Sequence, residues 1–127
     1  MEESCTVQNI IDDLKRYGRI YESTSDEAPE EAARYLVLNT PVIKHCLKVI
    51  YTEKTKEQRE ELLKNHKELH YSATSDDFLR DASHCIEMAQ DYHPDILPVR
   101  KFALEDLIRA LEYGKYCIPS VPKLIKP

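Results

Sequence analysis

Apolar residues recur along this chain at intervals of three and four, the spacing of one face of an α-helix, and that period constrains the fold most. Val7, Ile10, Ile11 and Leu14 form one such stripe, and Val42, Ile43, Cys46, Val49 and Ile50 form another. Phe78, Ala82, Cys85, Ile86 and Ala89 make a third, and Val99, Ala103, Leu107, Ala110 and Leu111 a fourth. A shorter one comprises Ala32, Ala33, Leu36 and Val37. Only Tyr35-Leu36-Val37-Leu38 could be imagined as a strand, and no other segment alternates with period two to pair with it, so it reads as helix. The expected fold is all-α.

Caps and breakers divide these stripes into about six helices. Thr6 is a natural N-cap for a helix ending at Tyr17, and Gly18 supplies its stop. The polar stretch Tyr21 to Ala28 is a loop. Pro29 opens a second helix at its first turn, with Asp26 and Glu27 near its positive end. Thr40 as cap and Pro41 at the first position start a third, with Lys44, Lys48 and Tyr51 opposite its apolar side. A fourth runs from about Thr55 to His70. Ser75, followed by Asp76 and Asp77, begins a fifth, which ends at Tyr92-His93-Pro94-Asp95 because a residue before proline resists the helical region. Pro98 precedes a sixth, with Gly114 near its end.

Residues 115–127 contain Pro119, Pro122 and Pro127 and cannot continue as helix. With 127 residues the chain suits one domain. The expectation is a single-domain bundle or array of antiparallel amphipathic helices over residues 1–115, with an extended C-terminal tail over 116–127. The tail has a P-x-x-P spacing that suits a polyproline-binding groove, or else Ile118 and Leu124 fold back onto the helices.

The formal charge of −5 is unevenly placed. Residues 1–35 hold nine acids and four bases, whereas the remainder holds fourteen of each. No segment has the basic excess that phosphate neutralisation requires, so duplex DNA and anionic membrane surfaces are disfavoured partners. No apolar run is long enough to span a bilayer, and Met1-Glu2-Glu3-Ser4-Cys5 is unlike a secretory signal. Cys5, Cys46, Cys85 and Cys117 contain no C-x-x-C pair, and without a signal the expected compartment is cytosol or nucleus. There Cys46, Cys85 and Cys117 would be buried free thiols.

Catalytic signatures are sparse. With only Gly18 and Gly114 no phosphate-cradling loop can be built, and no G-x-S-x-G is present, so neither a cofactor nor a catalytic residue is assigned. Asp81, His84 and Glu87 fall opposite the apolar face of the fifth helix and read as solvated surface. Eight tyrosines, mostly at helix ends, suit both packing and interfaces.

The fourth helix is the anomaly. Continued to His70, it places Arg59, His66 and His70 on the face that Leu62, Leu63 and Leu69 need for the core. Burying an arginine and two imidazoles is costly unless each is paired, so the expectation is that these three line the rim of a groove for a protein partner. Histidines there would make binding change between about pH 6 and 7. The expected function is a non-catalytic helical interaction module, an adaptor or assembly subunit. The alternative is a helical-bundle hydrolase or ribonuclease using Arg59, His66 and His70, with or without a metal. His66-Lys67-Glu68-Leu69-His70 lacks the glutamate directly after the first histidine that a metalloprotease helix needs, and no metal is assigned.

Overall fold

The computed structural model describes residues 5–69, 76–93 and 98–127. Among them the helices are α1 (Val7–Tyr17), α2 (Glu30–Leu38), α3 (Thr40–Lys48), α4 (Lys56–Asn65), α5 (Asp76–Gln90), α6 (Lys101–Leu111) and the single turn α7 (Gly114–Cys117). A π turn, Val49–Glu53, continues α3. No named strand occurs among the described residues, and the fold is mostly helical; the sheet-like pairings are isolated bridges, Cys5 with Val121 and Glu27 with Arg100.

Local chemistry explains most boundaries. Thr6 caps α1 reciprocally with Asn9: each side chain accepts a hydrogen bond from the other residue's backbone N–H. Thr55 and Gln58 do the same for α4. Gly18 ends α1 for an unexpected reason. Its backbone is right-handed, and the left-handed residue is Arg19, at φ 50°. What Gly18 provides is room: a Cβ there would collide with the Leu104 side chain and stand 2.7 Å from the Leu14 carbonyl oxygen. It lets α1 approach α6 closely.

The core lies where the stripes meet. α5 packs on α6 and α2, and α1 packs on α6 and α2. Ile10, Ile11 and Leu14 from α1 are fully buried, as are Ala82, Cys85 and Ile86 from α5 and Leu104, Leu107 and Leu111 from α6. Each large aliphatic side chain so removed from water contributes about 1.5–3 kcal/mol. The Phe78 side chain expected on the α5 stripe lies outside the described residues. His84 and Glu87 do face water, 3.4 Å apart.

Three expectations need correction. In α2 Ala32, Ala33 and Leu36 are buried as expected, but Tyr35 joins them in place of Val37, which is exposed; a hydrogen bond from the Tyr35 hydroxyl to Asp13, at 2.9 Å, rewards turning that ring inward. Tyr51 is buried rather than opposite the α3 stripe, because the π turn breaks the 3.6-residue phase just before it. Cys46 and Cys85 are buried free thiols, but Cys117 is only half-buried, at the end of α7, and so is Cys5.

The chain end is also more structured than expected: residues 115–117 are helical, within α7. From Ile118 onward there is no helix, and burial follows a period of three. Ile118, Val121 and Leu124 are buried, while Pro119, Ser120, Pro122, Lys123, Ile125 and Lys126 are exposed. Three residues per turn is the repeat of polyproline II, the conformation that proline favours. Of the two fates considered for this segment, the structure shows Ile118 and Leu124 folded back.

Candidate functional site

Arg59 is 1% exposed, so it stands on no rim. Its guanidinium lies over the Tyr51 ring, 4.8 Å from the centroid, and Nη1 donates to the Lys54 carbonyl at 2.9 Å. Longer contacts, each 3.4 Å, reach the carbonyls of Ile50 and Tyr51. These oxygens close the α3–π-turn segment, where helical carbonyls lack partners and the dipole is negative. The expectation erred on how the conflict is resolved. A buried arginine needs compensation, and backbone carbonyls five to nine residues upstream provide it, with an aromatic face beneath. With its charge spent inside, Arg59 offers no surface to a phosphate or a partner.

His66 is not helical. α4 ends at Asn65, and His66 has non-helical backbone, so a wheel carried on to His70 does not apply. The His66 ring stacks on Tyr116, with centroids 3.7 Å apart and planes at 15°. Its Nδ1 lies 3.6 Å from Oε1 of Glu68, and the Tyr116 hydroxyl donates to the same oxygen. That hydrogen bond holds the Glu68 carboxyl below its usual range and raises the Tyr116 phenol. Lys115, paired with Glu112 at 2.7 Å, lies beside this cluster. The group ties the exit of α4 to α7. His70 lies outside the described residues. Arg59 and His66 therefore serve different partners and do not converge on one site.

Among the described residues no group of three or more His, Cys, Asp or Glu could hold a metal ion. Cys85 is pushed up to about 12 and Cys46 to about 11, in both cases by burial, so neither is a ready nucleophile at neutral pH.

The surface carries one feature that sequence reasoning missed. Between α2 and the C-terminal end of α5 lies an open cleft of about 370 Å³, lined by Ala33, Val37, Leu38, Ala89 and Tyr92, with Arg34 and Gln90 at its polar margin. Val37 is 46% exposed and Leu38 40%. The signal was present in Tyr35-Leu36-Val37-Leu38: four consecutive large apolar residues on a helix cannot all face one core. Comparison of the chain with protein-family models, with curated proteins and with solved structures finds no match.

Proposed function

We propose that the chain is a small non-catalytic interaction module, an adaptor or assembly subunit whose helices form a bundle, and that the cleft between α2 and α5 is its partner-binding surface. The observation that carries this reading is the pair Val37 and Leu38, exposed beside the buried Ala33 and Ala89. Solvent-facing aliphatic side chains around a concavity are worth more covered than wet, and the rim supplies Arg34 to fix a partner's orientation. The partner on this reading is a protein presenting apolar side chains, not duplex DNA or a membrane surface; the absence of a basic segment supports that. On this reading the helical domain extends through α7, and the segment from Ile118 to Pro127 is laid across it. Four cysteines without a disulfide suit the cytosol or nucleus. His66 keeps its place as a surface candidate, whereas Arg59 supports the fold from inside. Among the described residues, no feature of the Arg59 surroundings favours the hydrolase or ribonuclease alternative.

A photocrosslinking residue in place of Val37 tests the cleft. It is expected to yield a discrete adduct that Leu38→Lys abolishes while the helical circular dichroism stays unchanged. The same residue in place of Glu57, exposed on α4, is the control. Equal labelling from both positions, or indifference to Leu38→Lys, overturns the assignment.

A further inference from the structure

The C-terminal segment lies on the helices as a bound peptide lies in a receptor. Asn39, 1% exposed at the junction of α2 and α3, forms a two-point pair with the backbone of Ile125. Its Oδ1 accepts from the Ile125 N–H at 2.8 Å, and its Nδ2 donates to the Ile125 carbonyl at 2.8 Å. A third bond, Nδ2 to the Tyr35 carbonyl at 2.9 Å, fixes the amide. Upstream, Cys5 and Val121 exchange backbone hydrogen bonds of 2.9 and 2.8 Å, as neighbouring strands do. Downstream, the Lys126 ammonium pairs with Oδ2 of Asp13, the largely buried carboxylate that also accepts from the Tyr35 hydroxyl. The Lys126 ammonium also lies 5.8 Å from the Tyr35 ring centroid.

These contacts divide labour in the way of peptide recognition. Main-chain bonds give affinity without reading sequence, and side-chain sites give specificity. Asn39 reads only backbone, and the Ile125 side chain is accordingly exposed. Specificity lies in three apolar seats, for Ile118, Val121 and Leu124, and in one acidic seat, Asp13. A segment anchored by every third side chain leaves two-thirds of itself wet, so it can leave more readily than a packed helix.

We propose that the groove bounded by the Cys5 backbone, Asp13, Tyr35 and Asn39 is a peptide-recognition site held shut by the chain's own C-terminal segment. Its ligand in trans is an extended, proline-interrupted peptide with apolar residues every third position and a basic residue two beyond the last of them. The site is separate from the α2–α5 cleft and does not depend on it. The tail, tethered at an effective concentration in the millimolar range, is a competitor that such a ligand must displace.

The test uses the full chain and a fluorescein-labelled synthetic peptide of residues 117–127 carrying Cys117→Ser. Leu124→Asp with Lys126→Glu unhooks the tail and leaves the groove intact. Fluorescence anisotropy should show saturable binding to this opened variant, about tenfold or more tighter than to the parent. Adding Asn39→Ala should weaken it about tenfold, whereas adding Leu38→Lys in the cleft should not change it; each tenfold step corresponds to about 1.4 kcal/mol. An opened variant that is folded yet binds no peptide, or binds it equally with Asn39→Ala, overturns the proposal. Hydrogen exchange on the parent is the second measurement. The Val121 and Ile125 amides should exchange through local opening, at least about tenfold faster than Leu107. If they exchange only with the α6 core, or if the opened variant unfolds, the segment is part of the cooperative core and the proposal fails.

Discussion

α4 and α6 have nearly equal lengths, ten and eleven residues, and are held in place by opposite means. α6 buries Ala103, Leu104, Leu107, Ile108, Ala110 and Leu111. α4 buries only Arg59, with Leu62 and Leu63 half covered. One helix is anchored by transfer of hydrocarbon from water, which is non-directional and spread over many contacts. The other is anchored by a guanidinium aimed at carbonyls of the preceding turn, which is directional and concentrated in one residue. The first kind of anchor tolerates substitution by similar shapes; the second does not.

The largest expected effect falls on α6. Leu107→Ala should cost about 3–4 kcal/mol, the transfer term plus the cavity left in a fully buried site. Chemical denaturation should show a lower midpoint with unchanged slope. Arg59→Met should cost less, about 2–3 kcal/mol, by removing charge-assisted hydrogen bonds and leaving the Lys54 carbonyl without that donor. Its signature is local: amide exchange should quicken from Val49 through Asn65 and hardly change in α6. Arg59→Lys should recover less than half of the loss, because an ammonium lacks the planar face that lies over the Tyr51 ring. A full rescue by lysine, or an Arg59→Met cost below about 0.5 kcal/mol, would show that α4 is not held by the guanidinium.

Two thiols sharpen the same contrast. Cys46 sits on α3, just before the π turn that Arg59 closes, and Cys85 sits on α5 against α6. Both are fully buried and protonated at neutral pH, so in the parent both should react at least about a hundredfold slower than the half-buried Cys5. In Arg59→Met the Cys46 rate should rise several-fold while the Cys85 rate stays within about twofold. Equal acceleration at both positions would mean that the variant loosens the whole core, and the contrast between the two anchors would collapse.

The same contrast explains what was legible in the sequence. Stripes set by hydrocarbon could be read: α1, Val7–Tyr17 behind its Thr6 cap, and the buried faces of α5 and α6 stand where the 3.6-residue period puts them. Polar interiors could not. The wheel correctly turned Arg59 inward but carried no information about Ile50, Tyr51 and Lys54, whose carbonyls receive it, because backbone acceptors leave no trace in residue type. Asn39 precedes Thr40 and Pro41 with nothing local to mark its role, and its pairing with Ile125, 86 positions away, is a tertiary fact. The π turn has no compositional signature in Val49–Glu53; Ile50 stays on the buried stripe through it, but Tyr51, assigned to the opposite side, turns inward. The cleft was closer to reach, since Val37 and Leu38 were visibly one apolar pair too many for a single face.

The smallest expected effect concerns the exit of α4, where exposed groups take over from buried ones. Glu68 accepts from the Tyr116 hydroxyl, and that bond, with a lesser contribution from His66 and Lys115, holds its carboxyl below the ordinary glutamate range. A depressed carboxyl contributes to stability above its unfolded pKa, and the contribution is lost as pH falls through the lowered folded value. At neutral pH it is complete, and it weakens only in acid. Tyr116 shows the mirror behaviour: its raised phenol preserves the bond below the ordinary tyrosine range and releases it as pH climbs through the folded value. Tyr116→Phe should therefore move the Glu68 titration midpoint upward, read from side-chain carboxyl chemical shifts, while His66→Gln moves it less. Because both partners face solvent, the melting temperature at neutral pH should hardly respond. A Glu68 midpoint unmoved by Tyr116→Phe would leave the α4–α7 connection to the His66–Tyr116 stack alone, and His66→Gln would then become the variant that frees the end of α4.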